Sequence, residues 1–197
     1  MPPPPPRAPD LLTDFRTRAA YAEGAGIYRT IPAAVAVPSS VTELQRLVRW
    51  AAESRTTLIP RGAGSGMPGG NVGPGVIVDL AQSLGGVTVD PARRTAHAGA
   101  SVTWAQVNDA ARVSGLRLPP DPSSGAFATC GGMAATNAAG PRSVRSGSVR
   151  RWIEALEVVG ADGEVRRMKR GVGSGERFAL DPEPRRLVAA KFPKTRK

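Results

Sequence analysis

The sequence of 197 residues has one cysteine, Cys130, and one histidine, His97. A lone cysteine excludes an intramolecular disulfide and fits a reducing compartment. One histidine, one cysteine and scattered carboxylates supply no metal-ligand set, so no metal is expected. Aromatic residues are few: four Phe, two Tyr and three Trp. They do not interleave with the basic residues as they do in proteins that stack on nucleic acid bases. No nucleic-acid partner is expected, although the net charge is +11. No apolar run is long enough for a transmembrane segment. The opening M-P-P-P-P-P-R-A-P-D lacks the apolar stretch of a secretory signal. The expected location is cytoplasmic, either free or peripheral to the inner face of a membrane.

Glycine and proline, by contrast, are abundant, at 23 and 19 residues. They cluster, which points to structured loops rather than uniform disorder. Residues 1–9 read as a stiff, extended, Pro-rich leader. Positive charge is uneven. Residues 1–141 carry twelve Lys/Arg against nine Asp/Glu, and residues 142–197 carry fifteen against seven. The excess in the last quarter suits an anionic ligand, an acidic partner protein, a nucleic acid or a surface that has lost its usual partner.

The pattern of apolar residues predicts a mixed α and β chain. A short helix is expected from Asp10 to Arg18, then an irregular stretch over 21–34 and a strand over 34–38. Ser40, with Glu43 three residues on, reads as a capping box for a helix with Val41, Leu44, Leu47, Val48 and Ala51 on one face. Strands are expected at 56–59, ending at Pro60, and at 76–80. A strand pair is expected at 87–89 and 95–98. A helix is expected over Trp104–Val113, stopped by Gly115. A strand follows at 152–160, with a turn at 161–163 into 164–166. From Gly171 no core pattern emerges until residues 186–190. Helices and strands do not alternate as in a regular βαβ series.

Residues 60–75 read P-R-G-A-G-S-G-M-P-G-G-N-V-G-P-G, with seven glycines in the fifteen residues after Pro60. Gly64, Gly66 and Gly69 spell G-x-G-x-x-G. A dinucleotide fingerprint requires a helix to open within the loop and an acidic residue about twenty positions on. Pro68, Pro74 and the glycines oppose a helix, the next element reads as a strand, and Asp79 comes too early. The Rossmann reading therefore fails, and no G-K-[ST] follows for a Walker A loop. Small residues still let backbone N–H groups converge on an anion. At this point the loop is either a phosphate cradle or a plain irregular connection.

A second small-residue segment runs from Asp121 to Gly140: D-P-S-S-G-A-F-A-T-C-G-G-M-A-A-T-N-A-A-G. A short helix over 131–139 would point its N-terminus at an anion. Two such loops suit a long cofactor carrying a diphosphate, or two close-packed turns stabilising each other.

Together these stretches resemble the FAD-binding domain of the FAD-linked oxidases, the p-cresol methylhydroxylase (PCMH) and vanillyl-alcohol oxidase type. The branch it is most similar to is that of the glycolate oxidase subunit and D-lactate dehydrogenase. The likeness is carried by P-R-G-A-G-S-G-M-P-G-G (60–70), V-I-V-D-L (76–80), A-G-A-S-V-T-W-A-Q-V-N (98–108), L-P-P-D-P-S-S (118–124), A-T-C-G-G-M-A-A-T-N-A-A-G-P-R-S-V-R-S-G (128–147) and E-V-V-G-A-D-G-E-V (157–165). It covers about residues 20–197.

The resemblance implies an α+β, PCMH-type FAD-binding domain over 10–170, with short mixed strands and flanking helices. It implies non-covalent FAD. Arg61, Gly62, Ala63, Gly64, Ser65 and Gly66 would surround the diphosphate, with Gly69 and Asn71 nearby. Pro119, Asp121, Ser124, Thr129, Gly131, Gly132, Asn137 and Gly140 would line the ribityl chain and flavin, and Ile153 would approach the nucleotide end. Asp79 would brace its strand rather than touch the cofactor. Ser146 stands where relatives often carry tyrosine, and the loop lacks the histidine of covalently flavinylated relatives. Cys130 reads as a buried small residue, and His97 as a sheet residue.

The family reaction oxidises a 2-hydroxy acid by hydride transfer to flavin, with reoxidation by an acceptor that the sequence does not identify. Relatives place substrate and acid–base groups in later segments. The chain is therefore expected to be truncated, with 171–197 a basic tail opening the missing continuation. It would be an inactive fragment or half of a split enzyme whose second polypeptide supplies the rest. No catalytic residue is assigned.

Overall fold

The computed structural model describes residues 9–170, together with the backbone of 178–181 and 189–191. The leader and most of the tail lie outside these residues. The chain divides into two compact units, Met1–Ser83 with Val159–Glu164, and Leu84–Val158 with Val165–Lys197.

In the first unit, α1 spans Phe15–Ala20 and is capped by Asp14, whose Oδ1 accepts from the Thr17 N–H at 2.9 Å. The expected start at Asp10 is displaced because Leu12 bridges to Val35 instead, through bonds of 2.8 and 3.0 Å. Strand β1 (Ala34–Ala36) leads into α2 (Val41–Ser54), then β2 (Leu58–Arg61) and β3 (Val76–Asp79). Ser40 caps α2 by accepting from the Glu43 N–H at 3.2 Å. The Glu43 carboxylate reaches one residue beyond a capping box, accepting from the Ser39 N–H at 2.7 Å and its hydroxyl at 2.8 Å. These bonds hold the carboxyl below its usual range.

The sheet order is β1-β3-β2, parallel throughout. Strands β1 and β2 with α2 between them make one parallel βαβ unit, but helices and strands do not go on alternating along the chain, as expected. All four residues of the central strand β3 are buried, which suits its continuous β-branched run. Leu47 on α2 packs with Ala34, Ala36, Val76 and Val78. Burying a leucine this way contributes about 1.5–3 kcal/mol. Strand β2 continues through Pro60 rather than ending there. It lies at the edge of this sheet, where a residue without an N–H is tolerated.

The second unit opens with β4 (Val87–Asp90) and β5 (Thr95–Ala98), the expected antiparallel pair, with Thr88 opposite His97. Helix α3 (Trp104–Arg112) carries a full capping box between Thr103 and Gln106. Helices α4 (Cys130–Thr136) and α5 (Ser143–Ser146) and a 3₁₀ turn, Val149–Trp152, precede β6 (Ala155–Val159). Next come β7 (Val165–Arg170), β8 (Phe178–Asp181) and β9 (Ala189–Lys191). β7 lies between β6 and β8, and β9 pairs antiparallel with β5. The core gathers Ala96, Ala98, Val107, Leu116, Leu118, Met133, Val149 and Ile153. Asn108, on the buried side of α3, accepts from the Leu118 N–H and donates to the Trp104 carbonyl, both at 2.9 Å. No helix among the described residues is long and apolar enough to cross a membrane.

Candidate functional site

The glycine loop leaves β2 at Arg61 and returns at β3, and no helix forms between them. Among the described residues, no backbone N–H from Gly62 to Met67 donates to a protein acceptor. Unpaired donors in a run are the chemistry of an anion cradle. Gly64 and Gly69 adopt φ of +73° and +81°, a region that disfavours L side chains. The other glycines matter through space. A Cβ on Gly66 would meet only the Asn71 Nδ2, at 3.8 Å, and one on Gly70 would meet nothing within 4 Å.

Arg61 holds the loop's two ends together. Its Nη1 donates to the Asn71 carbonyl at 3.3 Å and to the Tyr21 carbonyl at 3.4 Å. Its guanidinium carbon lies 5.4 Å from the centre of the Tyr21 ring. Tyr21 in turn donates its hydroxyl to Asp79 at 2.6 Å. Asp79 also accepts from the Ala81 N–H and the Gln82 amide, at 2.8 and 2.9 Å. Asp79 therefore braces the end of its strand, as the sequence suggests. Burial, reinforced by the bond to Asp79, pushes the Tyr21 phenol up to about 12. The Asn71 side-chain carbonyl is buried without a partner among the described residues. A row of open N–H groups and free space above Gly66 and Gly70 fit a diphosphate.

The segment from Asp121 to Gly140, in the second unit, is built differently. Helix α4 starts at Cys130, not Gly131, and its first donors are engaged. Cys130 donates to Val102, Gly131 to Ala100 and Gly132 to the Thr129 hydroxyl, at 2.7, 3.0 and 3.2 Å. This corrects the expectation that its N-terminus is open to an anion: strand-like pairing of Thr103 with Thr129 brings competing carbonyls alongside.

Asn137 ends α4 in the left-handed region and its Oδ1 accepts from the Arg150 N–H. The chain crosses itself at Gly140, where a Cβ would strike the Asp121 carbonyl. Asp121 pairs with Arg142 at 3.2 Å. The Ser124 carbonyl closes a turn by accepting from Phe127 and Ala128. Pro119 and Ile153 are buried, the latter in the core. Ser146 is also buried, and its carbonyl accepts from the Trp152 indole at 2.9 Å. Cys130 lines a small apolar cavity of about 30 Å³ with Ala98, Val107, Leu118 and Met133. Burial pushes its thiol up to about 12.

The sequence alone misses residues 21–30. Ala25 donates to the Gly64 carbonyl at 2.9 Å, and the Tyr28 ring lies against Gly69. The only signal was Gly24 and Gly26 in a stretch without periodicity.

Residues 32–169 match a family described as the FAD binding domain. D-lactate dehydrogenase of Archaeoglobus fulgidus is 38% identical over 133 residues, covering 66% of this chain and 30% of that protein. Glycolate oxidase subunit GlcD of Bacillus subtilis is 32% identical over 140 residues, covering 70% and 30%. The chain thus spans less than a third of the length of these relatives. The solved structure of 6-hydroxy-D-nicotine oxidase from Arthrobacter nicotinovorans superposes with a TM-score of 0.74 over 98% of this chain and 44% of that one. At 19% identity the likeness concerns the fold alone. The match spans both small-residue segments and every strand from β1 to β6, and the chain belongs to the FAD binding domain family.

Proposed function

We propose that this chain is the cofactor-holding part of an FAD-dependent oxidoreductase acting on a 2-hydroxy acid. The run of unengaged N–H groups from Gly62 to Met67 carries the reading. These donors would take the diphosphate, and Arg61 would hold the loop's ends while they do so. The small residues at Gly66 and Gly70 leave the approach clear. Bound flavin supplies a hydride acceptor. The names of the relatives, a D-lactate dehydrogenase and a glycolate oxidase subunit, support a small 2-hydroxy acid as substrate. No residue of this chain is assigned to substrate contact or proton removal.

The loop assignment is tested with Gly66→Ala and Gly70→Ala. Both methyls enter open space, so melting temperatures should stay within about 2 °C of the parent. FAD affinity, followed by quenching of flavin fluorescence, should fall about tenfold, because added bulk separates the N–H groups from the phosphates. Unaltered affinity in both variants, or no FAD binding by the parent, overturns the reading.

A further inference from the structure

Residues 22–30 form a closed loop of their own. The Thr30 N–H donates to the Ala22 carbonyl at 2.8 Å, Glu23 bridges Arg29 along the backbone, and their side chains pair at 3.1 Å. The inner side of this loop lies along the glycine loop at four points. Ala25 donates to Gly64 at 2.9 Å. Gly24 faces the Asn71 amide, with room for no more than a hydrogen, since a Cβ would stand 2.9 Å from its Oδ1. Gly26 faces the Met67 carbonyl, which a Cβ would strike. The Tyr28 ring covers Gly69. The contacts thus fall at 64, 67, 69 and 71, alongside and beyond the unengaged N–H groups at 62–67. The contacting residues 24, 25, 26 and 28 all lie before residue 32, where the family match begins.

A glycine-rich loop with unpaired donors loses much conformational entropy on ordering. An outside element that fixes its carbonyls and leaves its N–H groups open removes part of that cost before any ligand arrives. We propose that residues 22–30 are a clasp that holds the glycine loop in its diphosphate-binding shape, with Gly26 and Tyr28 as positioning residues. The proposal rests on the FAD reading of the loop.

Three variants of the full chain test it: Gly26→Ala, Tyr28→Ala and Tyr28→Phe. The first measurement needs no cofactor. Trypsin cleavage after Arg61, located by mass spectrometry, is compared with cleavage after the exposed Arg145 of the second unit. Loosening the clasp should speed the Arg61 cut about fivefold or more in Gly26→Ala and Tyr28→Ala, with the Arg145 cut unaltered. The second measurement is affinity for FAD and for ADP. Both should weaken by the same factor, about tenfold, since FAD contains the whole ADP unit whose diphosphate the loop holds. Tyr28→Phe keeps the ring and should restore both readouts to within about twofold.

Unaltered Arg61 cleavage overturns the clasp, whether or not FAD binds. Faster cleavage with unaltered affinity overturns its positioning role. Failure of the parent to bind FAD or ADP overturns the reading of the loop, and the cleavage rates then decide the clasp by themselves. If Gly26→Ala does not fold, the two Tyr28 variants decide between these outcomes.

Discussion

Arg61 and Asn71, ten residues apart, are joined across the glycine loop by one bond of 3.3 Å from guanidinium to carbonyl. The same nitrogen reaches the Tyr21 carbonyl at 3.4 Å. One planar group therefore ties both ends of the loop to the segment before it. Lysine has the charge and one donating nitrogen, but not the planar group that lies over the Tyr21 ring while that nitrogen reaches both carbonyls. Arg61→Lys should weaken FAD binding about tenfold, read by flavin fluorescence. Charge alone would suffice if the guanidinium served only as a cation, and Arg61→Lys would then bind as the parent does.

Local chemistry made much of this fold legible. Ser40 announces its helix because a cap needs only a side-chain oxygen and an N–H three residues away. The hairpin of β4 and β5 follows from the β-branched run Val87-Thr88-Val89, the turn at Asp90-Pro91 and the apolar stretch that follows it. The glycine loop loses its Rossmann identity on the same grounds, since β3 and not a helix follows it. What stayed hidden depends on contacts distant in sequence. Pro60 sits within a strand because β2 is an edge, which no local signal reveals. The donors of α4 look available until Val102 and Ala100 are seen to take them. Residues 21–30 have no periodicity because their contacts to the loop run through backbone and glycine.

Tyr21 gives the fold an alkaline limit. Its phenol titrates near 10.0 when unperturbed and is raised to about 12 in the fold. Below 10 both folded and unfolded chains hold the proton, and the contribution of the Asp79 bond is fully present. As pH climbs from about 10 to about 12 the unfolded chain releases the proton first, so stability falls across that window. Urea denaturation between pH 9 and 12 should show this loss in the parent. Tyr21→Phe should lack that part of the pH dependence and start from a lower stability at neutral pH.

Asn108 is a polar group in an apolar core, and both ends of its amide are used. Asn108→Leu matches its size but leaves the Leu118 N–H buried without an acceptor. The expected loss is about 1–3 kcal/mol, read from urea denaturation. Asn108→Asp keeps an acceptor for Leu118 but loses the donor to Trp104 and buries a charge. It should be no better than Asn108→Leu at neutral pH and should recover in part as pH falls and the carboxyl takes a proton. A flat pH response in Asn108→Asp would show that the site is open to water.

Cys130 is the one thiol that could attach to a flavin or report on the second unit. Its pKa near 12 keeps it protonated at neutral pH, and protonated thiols are poor nucleophiles. At pH 8 the native chain should react with a disulfide reagent such as Ellman's at least about a hundredfold more slowly than the chain in urea. The cavity beside it is too small for the reagent, at about 30 Å³. Acid precipitation of FAD-loaded protein should accordingly release all the flavin into the supernatant. Flavin retained in the pellet, and lost from it in Cys130→Ser, would mean that the thiol is reached from the cofactor side after all.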